Sequence, residues 1–532
     1  MNGHTFERIK WPPPLYYNFA TDVIDAWASD EKNKIAMVWT DGRKEIKLTF
    51  KDISQQSKKL ANALVKMGLK KDDIVLLIMG REIEWWIVLT ACLRMGAVCS
   101  PGTTQLSKND IAYRVNAAGA TCIITDDENA QKVDLVSGEC STLKIKIKIG
   151  SEKKNWQNYD SIIEQENSFF EKSRTKYLDR ALCYFTSGTT GYPKMTIHNH
   201  GYGYAHQVTG KYWLDLKPDD LHWNISDNGW AKAAYSSYFG PWNQGAALFV
   251  SNNPVFTPEE TIKTLKSNPI STMCGAPTIY RMLIQQDLSD FNPSHLRHCV
   301  GAGEPLNPEV IEIWRKSTGL TIRDGYGQTE TVLICGNLPH GEVRLGSMGK
   351  PMPDFEMAII GADGEKLKPN EEGDIAIRNP STGTPGLFVD YYKDRERYDR
   401  CFVKDWYITG DRGTMDEDGF FWFVSRADDV ILSAGYRIGP FEVESALLKH
   451  PAVIESAVVS SPDETRGSVV KAFVILGDGF TPNEAMKNTL QEHVKMITAP
   501  YKYPRKIEFV KTLPKTVSGK IRRIELRERE GG

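Results

Sequence analysis

A stretch rich in glycine and hydroxyl groups, TSGTTGYPK at residues 186–194, constrains the fold of this chain more than any other feature. It follows an apolar run at residues 182–185 (LCYF), which is typical of a buried strand. The glycines permit a tight loop with converging backbone N–H groups, while the hydroxyls and Lys194 add further donors. Because polyphosphates bind such donors, we predict a phosphate-binding loop after a strand, with an ordinary polar turn as the alternative.

Strands alternate with helices along most of the chain, which predicts an α/β fold with mainly parallel sheets. Residues 74–78 (IVLLI) are typical of a buried strand, and Thr49 with Asp52 predicts a capping box at the start of a helix. Short apolar runs between turns at residues 346–378 predict a β subdomain. The last hundred residues predict a small α+β domain, so we place the domains at residues 1–427 and 428–532.

Composition and charge indicate an ordinary soluble protein. The 66 basic and 68 acidic residues leave a net charge of −2, which gives no indication of nucleic acid or an anionic membrane as a partner. The nine cysteines contain no C-x-x-C pair, which favours a reducing compartment without disulfides. The longest apolar helical run, residues 85–93, is too short for stable membrane insertion.

The amino-terminal residues show neither a secretory signal nor a transit peptide, so we expect a cytoplasmic protein. The mitochondrial matrix, after removal of a transit peptide, is the alternative. Three histidines follow the phosphate-binding stretch at residues 198, 200 and 206. Their spacing does not match a zinc site and no cysteine lies nearby, so we do not assign them to a metal.

Four further motifs follow in order: DGYGQTE at residues 324–330, YITGD at 407–411, RADDVILSAGYR at 426–437 and PKTVSGK at 514–520. Together with TSGTTGYPK they resemble the adenylate-forming superfamily of acyl-CoA synthetases, luciferases and peptide-synthetase adenylation domains. The resemblance covers essentially the whole chain. The segment SDNGW at residues 226–230 and three others (275–287, 324–331 and 499–505) are most similar to medium-chain acyl-CoA synthetases.

The resemblance implies an ATP-dependent acid–thiol ligase that works in two half-reactions. A short or medium-chain carboxylate attacks the α-phosphorus of ATP and releases pyrophosphate, and the thiolate of coenzyme A then displaces AMP. ATP and coenzyme A are the implied co-substrates, and Mg²⁺ is the implied cofactor. A stand-alone adenylation enzyme that loads a separate carrier protein is the alternative. The preferred acid and the oligomeric state are not given by the sequence.

The resemblance assigns ATP binding to five segments of the chain and to one distant lysine. These residues are Thr186, Ser187, Gly188, Thr189, Thr190, Gly191, Tyr192, Pro193, Lys194, Gly303, Glu304, Pro305, Asp324, Gly325, Tyr326, Gly327, Gln328, Thr329, Asp411, Arg426 and Lys520. Asp411 is expected to accept the ribose hydroxyls, and Tyr326 to stack on adenine. Glu330 is the expected Mg²⁺ ligand, a hard oxygen donor for a hard ion.

The resemblance also implies catalytic, coenzyme A and acyl residues. The expected catalytic residues are Lys520, Arg437, Thr329 and Glu330. Lys520 is expected to contact the acyl carboxylate and the α-phosphate, until rotation of the small domain replaces it with residues 434–437. Coenzyme A binding is assigned to Gln105, Ala434, Gly435, Tyr436, Arg466 and Lys495, with surface roles as the alternative for Gln105 and Lys495. The acyl pocket is assigned to Trp230, Tyr235, Gly303 and Thr329, with Tyr238 as a further lining candidate and core packing as the alternative for these residues.

Overall fold

Two large sheets with flanking helices form the body of the protein in the computed structural model. The structure describes residues 8–30, 33–171, 174–186, 193–253, 255–427, 429–433, 436–463, 466–515 and 521–531. An antiparallel β subdomain follows the body, and a small α+β domain ends the chain. The predicted α/β fold class is therefore confirmed.

The strands pair into the sheets described below. In chain order they are β1 (Ile35–Thr40), β2 (Glu45–Thr49), β3 (Ile74–Ile78), β4 (Val98–Gly102), β5 (Cys122–Thr125), β6 (Ile145–Lys148), β7 (Gln157–Asn158), β8 (Arg180–Thr186), β9 (Lys194–Asn199), β10 (Leu221–Ile225), β11 (Ala247–Ser251), β12 (Thr272–Gly275), β13 (His298–Ala302), β14 (Ile322–Gly327), β15 (Leu333–Gly336), β16 (Lys350–Pro351), β17 (Met357–Ile360), β18 (Gly373–Arg378), β19 (Asp390–Tyr391), β20 (Phe402–Val403), β21 (Trp406–Met415), β22 (Phe421–Arg426), β23 (Ile431–Ser433), β24 (Tyr436–Ile438), β25 (Val453–Asp463), β26 (Gly467–Leu476) and β27 (Lys506–Phe509).

The α-helices cover the faces of these sheets. In chain order they are α1 (Asp25–Asp30), α2 (Phe50–Lys66), α3 (Ile83–Met95), α4 (Lys108–Ala118), α5 (Asp127–Asp134), α6 (Tyr159–Glu164), α7 (Gly201–Val208), α8 (Ala231–Ser236), α9 (Phe239–Asn243), α10 (Pro258–Ser267), α11 (Pro277–Leu283), α12 (Pro308–Thr318), α13 (Arg395–Asp399), α14 (Pro440–Leu448), α15 (Glu484–Ile497) and α16 (Arg523–Arg529). In the described ranges, none is both long and apolar enough to cross a membrane.

The first sheet has the order β19-β9-β8-β4-β3-β5-β6-β7, and the second has the order β16-β15-β14-β13-β12-β10-β11-β1-β2. Their central strands are parallel, while β9, β19, β2, β15 and β16 add antiparallel edges. Every residue of β3 is buried, as a strand covered by helices on both faces requires. The predicted capping box opens α2, where the Thr49 hydroxyl accepts the Asp52 N–H at 3.1 Å and Asp52 accepts the Thr49 N–H at 2.8 Å.

The antiparallel edges bring distant segments to one end of the body. Strands β8 and β9 form a hairpin in which Thr186 pairs with Lys194. Strand β19 lies next to β9, with Tyr391 opposite Thr196. The β subdomain pairs β17, β18, β20, β21 and β22, and places Asp411 opposite Arg426. These pairings set the residues of the candidate site relative to one another.

An ion pair between buried Glu444 and partly buried Arg523 joins two helices of the small domain. Glu444 on α14 accepts three hydrogen bonds from the Arg523 guanidinium, at 2.6, 2.8 and 3.2 Å, and one from the Val458 N–H at 2.8 Å. Arg523 begins α16, just after the segment that contains Lys520. An isolated bridge pairs Lys515 with Ile521, so the two ends of that segment lie side by side.

We predict that Glu444→Ala lowers the free energy of unfolding of the small domain by about 2 kcal/mol, because it removes the directly bonded counter-charge of the Arg523 guanidinium, whose side chain is 24% exposed. Glu525→Ala is the matched control, since Glu525 pairs with exposed Arg529 at 3.3 Å and its loss changes the free energy by less than about 0.5 kcal/mol. Urea unfolding, with limited proteolysis as the probe of the small domain, measures the change in free energy for both variants. Equal effects of the two substitutions would contradict the prediction.

Candidate active site

Strands β8 and β9 flank the predicted phosphate-binding segment in the sequence. Thr186 ends β8 with its hydroxyl buried and without a hydrogen-bond partner among the described residues, and the Pro193 carbonyl accepts the Tyr113 hydroxyl at 3.1 Å. Several predicted site residues lie outside the described residues: Ser187, Gly188, Thr189, Thr190, Gly191, Tyr192, Ala434, Gly435, Lys520 and the side chain of Arg437. The domain junction at Asp428 lies outside them too.

Lys194, Glu330 and Tyr391 meet at one point, although they come from β9, the turn after β14, and β19. The Lys194 ammonium lies 2.9 Å from Glu330 Oε1 and 2.6 Å from the Tyr391 hydroxyl. The Tyr391 hydroxyl lies 2.7 Å from the same Glu330 oxygen. Burial alone would raise the pKa of Glu330, but the Lys194 charge and these hydrogen bonds lower it below its usual value. Glu330 is therefore ionised in a nearly buried position.

His198 holds the main chain beside Glu330. Its Nε2 lies 2.7 Å from the Thr329 carbonyl oxygen, which can only accept, so Nε2 carries the proton. The ring stacks on Tyr202 with centroids 3.8 Å apart. Burial lowers the pKa of His198 to about 4, so the imidazole is neutral. His198 thus orients Thr329 and Glu330 from the neighbouring strand.

Asp411 is the centre of a second polar cluster. Its Oδ2 accepts the Tyr326 hydroxyl at 2.5 Å and the Gln328 amide at 2.8 Å, while Arg426 Nε lies 3.4 Å from Oδ1. Tyr407 donates its hydroxyl to Gln328 Oε1 at 3.1 Å. A buried carboxylate oriented by several donors can accept a pair of vicinal hydroxyls. The structure therefore brings together four of the residues that the sequence assigns to the nucleotide.

Asp324 lies on β14 with its carboxyl group fully enclosed. Burial raises its pKa to about 8, opposed by the Gly325 N–H, which donates to Oδ1 at 2.9 Å. The Asp324 carboxyl is thus mostly protonated at neutral pH, and a protonated carboxyl can both donate and accept a hydrogen bond. That capacity suits the amino and ring nitrogens at the edge of adenine, and Gly327 follows at the end of the same strand.

The segment at residues 303–305 follows β13 and faces α8 and α11. Gly303 has φ +107°, which favours glycine, and a Cβ atom there would lie 3.1 Å from Lys232 Nζ. Glu304 accepts the Thr278 hydroxyl at 2.8 Å, and Pro305 leads toward α12. The expected adenine wall is therefore held by side chains from two neighbouring helices.

The predicted acyl residues lie at the start of α8. Trp230 precedes this helix, and its indole N–H is buried with no hydrogen-bond partner in the described ranges. The Tyr235 ring lies 6.1 Å from that of Trp213 and its hydroxyl is equally enclosed. Tyr238 differs, since its hydroxyl bonds to Thr90 at 2.6 Å and its ring packs on Phe239 within the core.

The loop before Trp230 packs directly on the end of β4. A Cβ atom on Gly229 would lie 2.1 Å from the Thr103 backbone nitrogen, so only glycine fits there. The Thr103 hydroxyl donates to Asp227 at 3.1 Å and accepts the Gln105 N–H at 3.3 Å. The structure thereby places Gln105, a predicted coenzyme A residue, beside the predicted acyl loop.

The remaining predicted coenzyme A residues lie on the small domain. Tyr436 is half exposed and its ring stacks on that of Tyr501 with centroids 4.2 Å apart. The Lys495 ammonium lies 4.3 Å from the Tyr503 ring centroid and 2.7 Å from Glu492. Arg466 is exposed just before β26. Their roles toward coenzyme A stay predictions.

Sequence reasoning missed Tyr391 and the positioning role of His198. Tyr391 lies 61 residues from Glu330 along the chain, and the two are brought together by the pairing of β19 with β9 and by the hydrogen bond from the Phe388 N–H to the Glu330 carbonyl. No motif in the sequence marks that pairing. For His198, its place in a buried strand just after the phosphate-binding stretch was the available signal.

We predict that Asp324→Asn makes the thermal stability less dependent on pH. The folded-state pKa of about 8 lies above the ordinary value near 4, so the native state holds a proton that the unfolded state loses. Asp324 makes its full contribution to the free energy of unfolding below about pH 4. This contribution falls as the pH rises toward about 8, by at most about 1.4 kcal/mol per pH unit. The melting temperature of the variant relative to the native protein should therefore rise between about pH 5 and about pH 8. A difference that stays constant over this range would contradict the assignment.

Curated relatives resemble this chain over nearly its full length. Acyl-coenzyme A synthetase ACSM3, mitochondrial, from Rattus norvegicus is 49% identical over 528 residues, which cover 97% of this chain and 91% of the relative. Acyl-coenzyme A synthetase ACSM4, mitochondrial, from Homo sapiens is 47% identical over 535 residues, which cover 98% and 92%.

Solved structures share the fold. The anthranilate CoA ligase AuaEII in complex with anthranoyl-AMP matches with a TM-score of 0.89 and 29% identity, over 98% of both chains. The Brucella canis acyl-CoA synthetase matches with a TM-score of 0.76 and 33% identity, over 98% of this chain and 95% of the other.

Two family profiles match the sequence. The profile described as AMP-binding enzyme covers residues 24–388, and the profile described as AMP-binding enzyme C-terminal domain covers residues 442–520. Both matches contain residues that the structure places in the two polar clusters or in the small domain. The chain belongs to the AMP-binding enzyme family.

Proposed function

We propose that the protein is an ATP-dependent, AMP-forming acyl-CoA synthetase. Two observations together carry this proposal: a lysine held against a buried carboxylate, Lys194 and Glu330, and a second buried carboxylate oriented by several donors, Asp411. Gln328 and Tyr407 extend the Asp411 cluster through hydrogen bonds. The acyl-coenzyme A synthetases at 47–49% identity support the same activity.

The chemistry follows from the charge that develops at the phosphates. Attack of a carboxylate on the α-phosphorus of ATP gathers negative charge on phosphate oxygens, which Lys194 and the N–H groups of the phosphate-binding segment would stabilise. Pyrophosphate leaves, and the acyl-adenylate then reacts with the thiolate of coenzyme A to release AMP. Asp411 would hold the ribose through both steps.

Mg²⁺ fits the residues that are present. No group of three or more histidine, cysteine, aspartate or glutamate side chains forms a metal cluster among the described residues. Magnesium at nucleotide sites commonly uses one or two carboxylates plus phosphate oxygens, and Glu330 is an ionised carboxylate beside the phosphate-binding hairpin. Glu330 would hold the ion, which neutralises phosphate charge when bound.

The small domain would supply the groups that change between the half-reactions. We propose the division at residues 427/428, with Lys520 serving adenylation and residues 434–437 facing the active site during thioester formation. The bridge between Lys515 and Ile521 supports this, because it fixes the base of the Lys520 segment to the domain. Gln105, Arg466 and Lys495 would contact coenzyme A.

Short and medium-chain carboxylic acids are the proposed substrates. Trp230, Tyr235, Gly303 and Thr329 would line the acyl pocket. Loading of a separate carrier protein is the alternative, which would yield an acyl-adenylate without acyl-CoA. The mitochondrial names of the relatives support a mitochondrial location over the cytoplasmic one.

The test of this function is AMP and pyrophosphate release with acids from acetate to dodecanoate, branched and aromatic acids included. We expect AMP and acyl-CoA in equal amounts when ATP, Mg²⁺, coenzyme A and a suitable acid are present. Pyrophosphate exchange without acyl-CoA would favour the carrier-loading alternative. Absence of both AMP release and pyrophosphate exchange with every acid would reject both.

We predict that Lys520→Ala lowers the rate of adenylation by about 10²-fold or more, because a cation at the developing phosphate charge is lost. Thioester formation from supplied acyl-adenylate should stay close to that of the native protein. Lys511→Ala is the matched control, since Lys511 is an exposed lysine near the same segment. Equal losses in the two half-reactions would contradict the proposed exchange of groups.

A further inference from the structure

The three hydrogen bonds among Lys194, Glu330 and Tyr391 allow only one assignment of donors and acceptors. An ammonium group only donates hydrogen bonds and a carboxylate only accepts them. Tyr391 therefore accepts from Lys194 at 2.6 Å and donates to Glu330 Oε1 at 2.7 Å. Lys194 also donates to the same carboxylate oxygen at 2.9 Å. One oxygen of Glu330 thus receives two donors.

This arrangement conflicts with the roles that nucleotide binding requires. Under the proposed function Lys194 contacts the phosphates of ATP, while Glu330 holds the magnesium ion. In the structure the charge of Lys194 is directed at Glu330 instead. A lysine has a flexible four-carbon stem, so its ammonium can move between two nearby anions. Its contact with Glu330 has to loosen when the nucleotide binds.

Tyr391 and Glu330 are held more firmly than Lys194. The Tyr391 side chain is 2% exposed, and its ring packs on Phe388 with centroids 4.7 Å apart. The Phe388 N–H donates to the Glu330 carbonyl at 2.8 Å, which connects the two segments through the main chain. The Lys194 side chain is 25% exposed, against 8% for Glu330. Lys194 is therefore the member of the three that can leave.

We infer that the Lys194 ammonium occupies, in the nucleotide-free protein, the place at Glu330 that the magnesium–nucleotide complex takes, and that Tyr391 holds the carboxylate while the two cations exchange. This inference rests on the proposed function for the identity of the ligand. Its physical basis is that a buried carboxylate without a counter-charge is strongly unfavourable. Glu330 therefore keeps one cation in each state, and Tyr391 is a positioning residue.

The exchange has a consequence that does not involve turnover. While Lys194 is present, its ammonium already balances the charge of Glu330, so free Mg²⁺ gains little by binding there. Without Lys194, Glu330 lacks the ion-pair partner that the structure gives it. A divalent ion alone should then stabilise the folded protein, since a ligand that binds the native state raises its stability.

The test is thermal unfolding of the full chain in MgCl₂ without nucleotide. Native protein should show no change in melting temperature up to about 10 mM Mg²⁺, whereas Lys194→Met should gain about 1–3 °C. Lys366→Met is the matched control, because Lys366 also contacts a carboxylate, Glu356 at 2.8 Å, and an aromatic ring, Trp406 at 5.3 Å. It should show no gain. Adding Glu330→Gln to Lys194→Met should abolish the gain.

Tyr391→Phe tests the positioning role. The dissociation constant of Mg²⁺–ATP, measured by calorimetry without acid, should rise about 10-fold, since one hydrogen bond to a charged group is lost. The rate of thioester formation from supplied acyl-adenylate should stay unchanged, and the gain with Mg²⁺ in Lys194→Met should shrink when Tyr391→Phe is added. An unchanged dissociation constant, or an equal loss in thioester formation, would reject the role of Tyr391.

Equal stabilisation of native protein and Lys194→Met by Mg²⁺, or none of either, would overturn the exchange. If Lys194→Met does not fold, Lys194→Gln replaces it, because the glutamine amide is uncharged and can still donate a hydrogen bond to Tyr391. Release of AMP by the native protein is measured separately. Failure of the proposed function therefore appears in that assay, and failure of the exchange appears in the unfolding experiment.

Discussion

The need of one buried carboxylate, Glu330, for a counter-charge explains much of the arrangement at the active end of the body. The hairpin β8–β9 supplies the cation, and β19 adds the tyrosine that accepts from Lys194 and donates to Glu330. His198 fixes the carbonyl of the preceding residue. These contacts depend on β9 and β19, two antiparallel strands at the edge of the mainly parallel first sheet. Their pairing places segments that are far apart in the sequence side by side.

The sequence predicted the local parts of this protein well. Strand β3, the capping box of α2 and the α/β fold class follow from apolar periodicity and helix-start signals, which act over a few residues. The two polar clusters were predicted as separate motifs. The hydrogen bonds of Gln328 with Asp411 and Tyr407, and the contacts of Tyr391 with Lys194 and Glu330, depend on pairings between segments far apart in sequence. Tyr238 shows the same limit, because a tyrosine in a pocket and one in the core have the same sequence environment.

The small domain also contains a buried carboxylate that is balanced by a neighbouring cation. Glu444 forms an ion pair with Arg523. A β-bridge joins Lys515 to Ile521, the two residues that flank the segment containing Lys520. Arg527 on α16 forms an ion pair with Asp429, next to the proposed domain boundary. One short helix thus connects the segment of the proposed catalytic lysine to the residues about which the domain would turn.

Close packing of Gly229 on Thr103 limits how this scaffold can diversify. A loop that rests on the neighbouring backbone without room for a methyl group cannot be shifted or rebuilt residue by residue. Relatives that accept different acids on the same backbone are therefore expected to differ in the side chains around this loop, at positions such as Trp230 and Lys232, and to retain its path. Selectivity for the acid would therefore change through substitution of the side chains around the loop, while the backbone of the loop keeps its path.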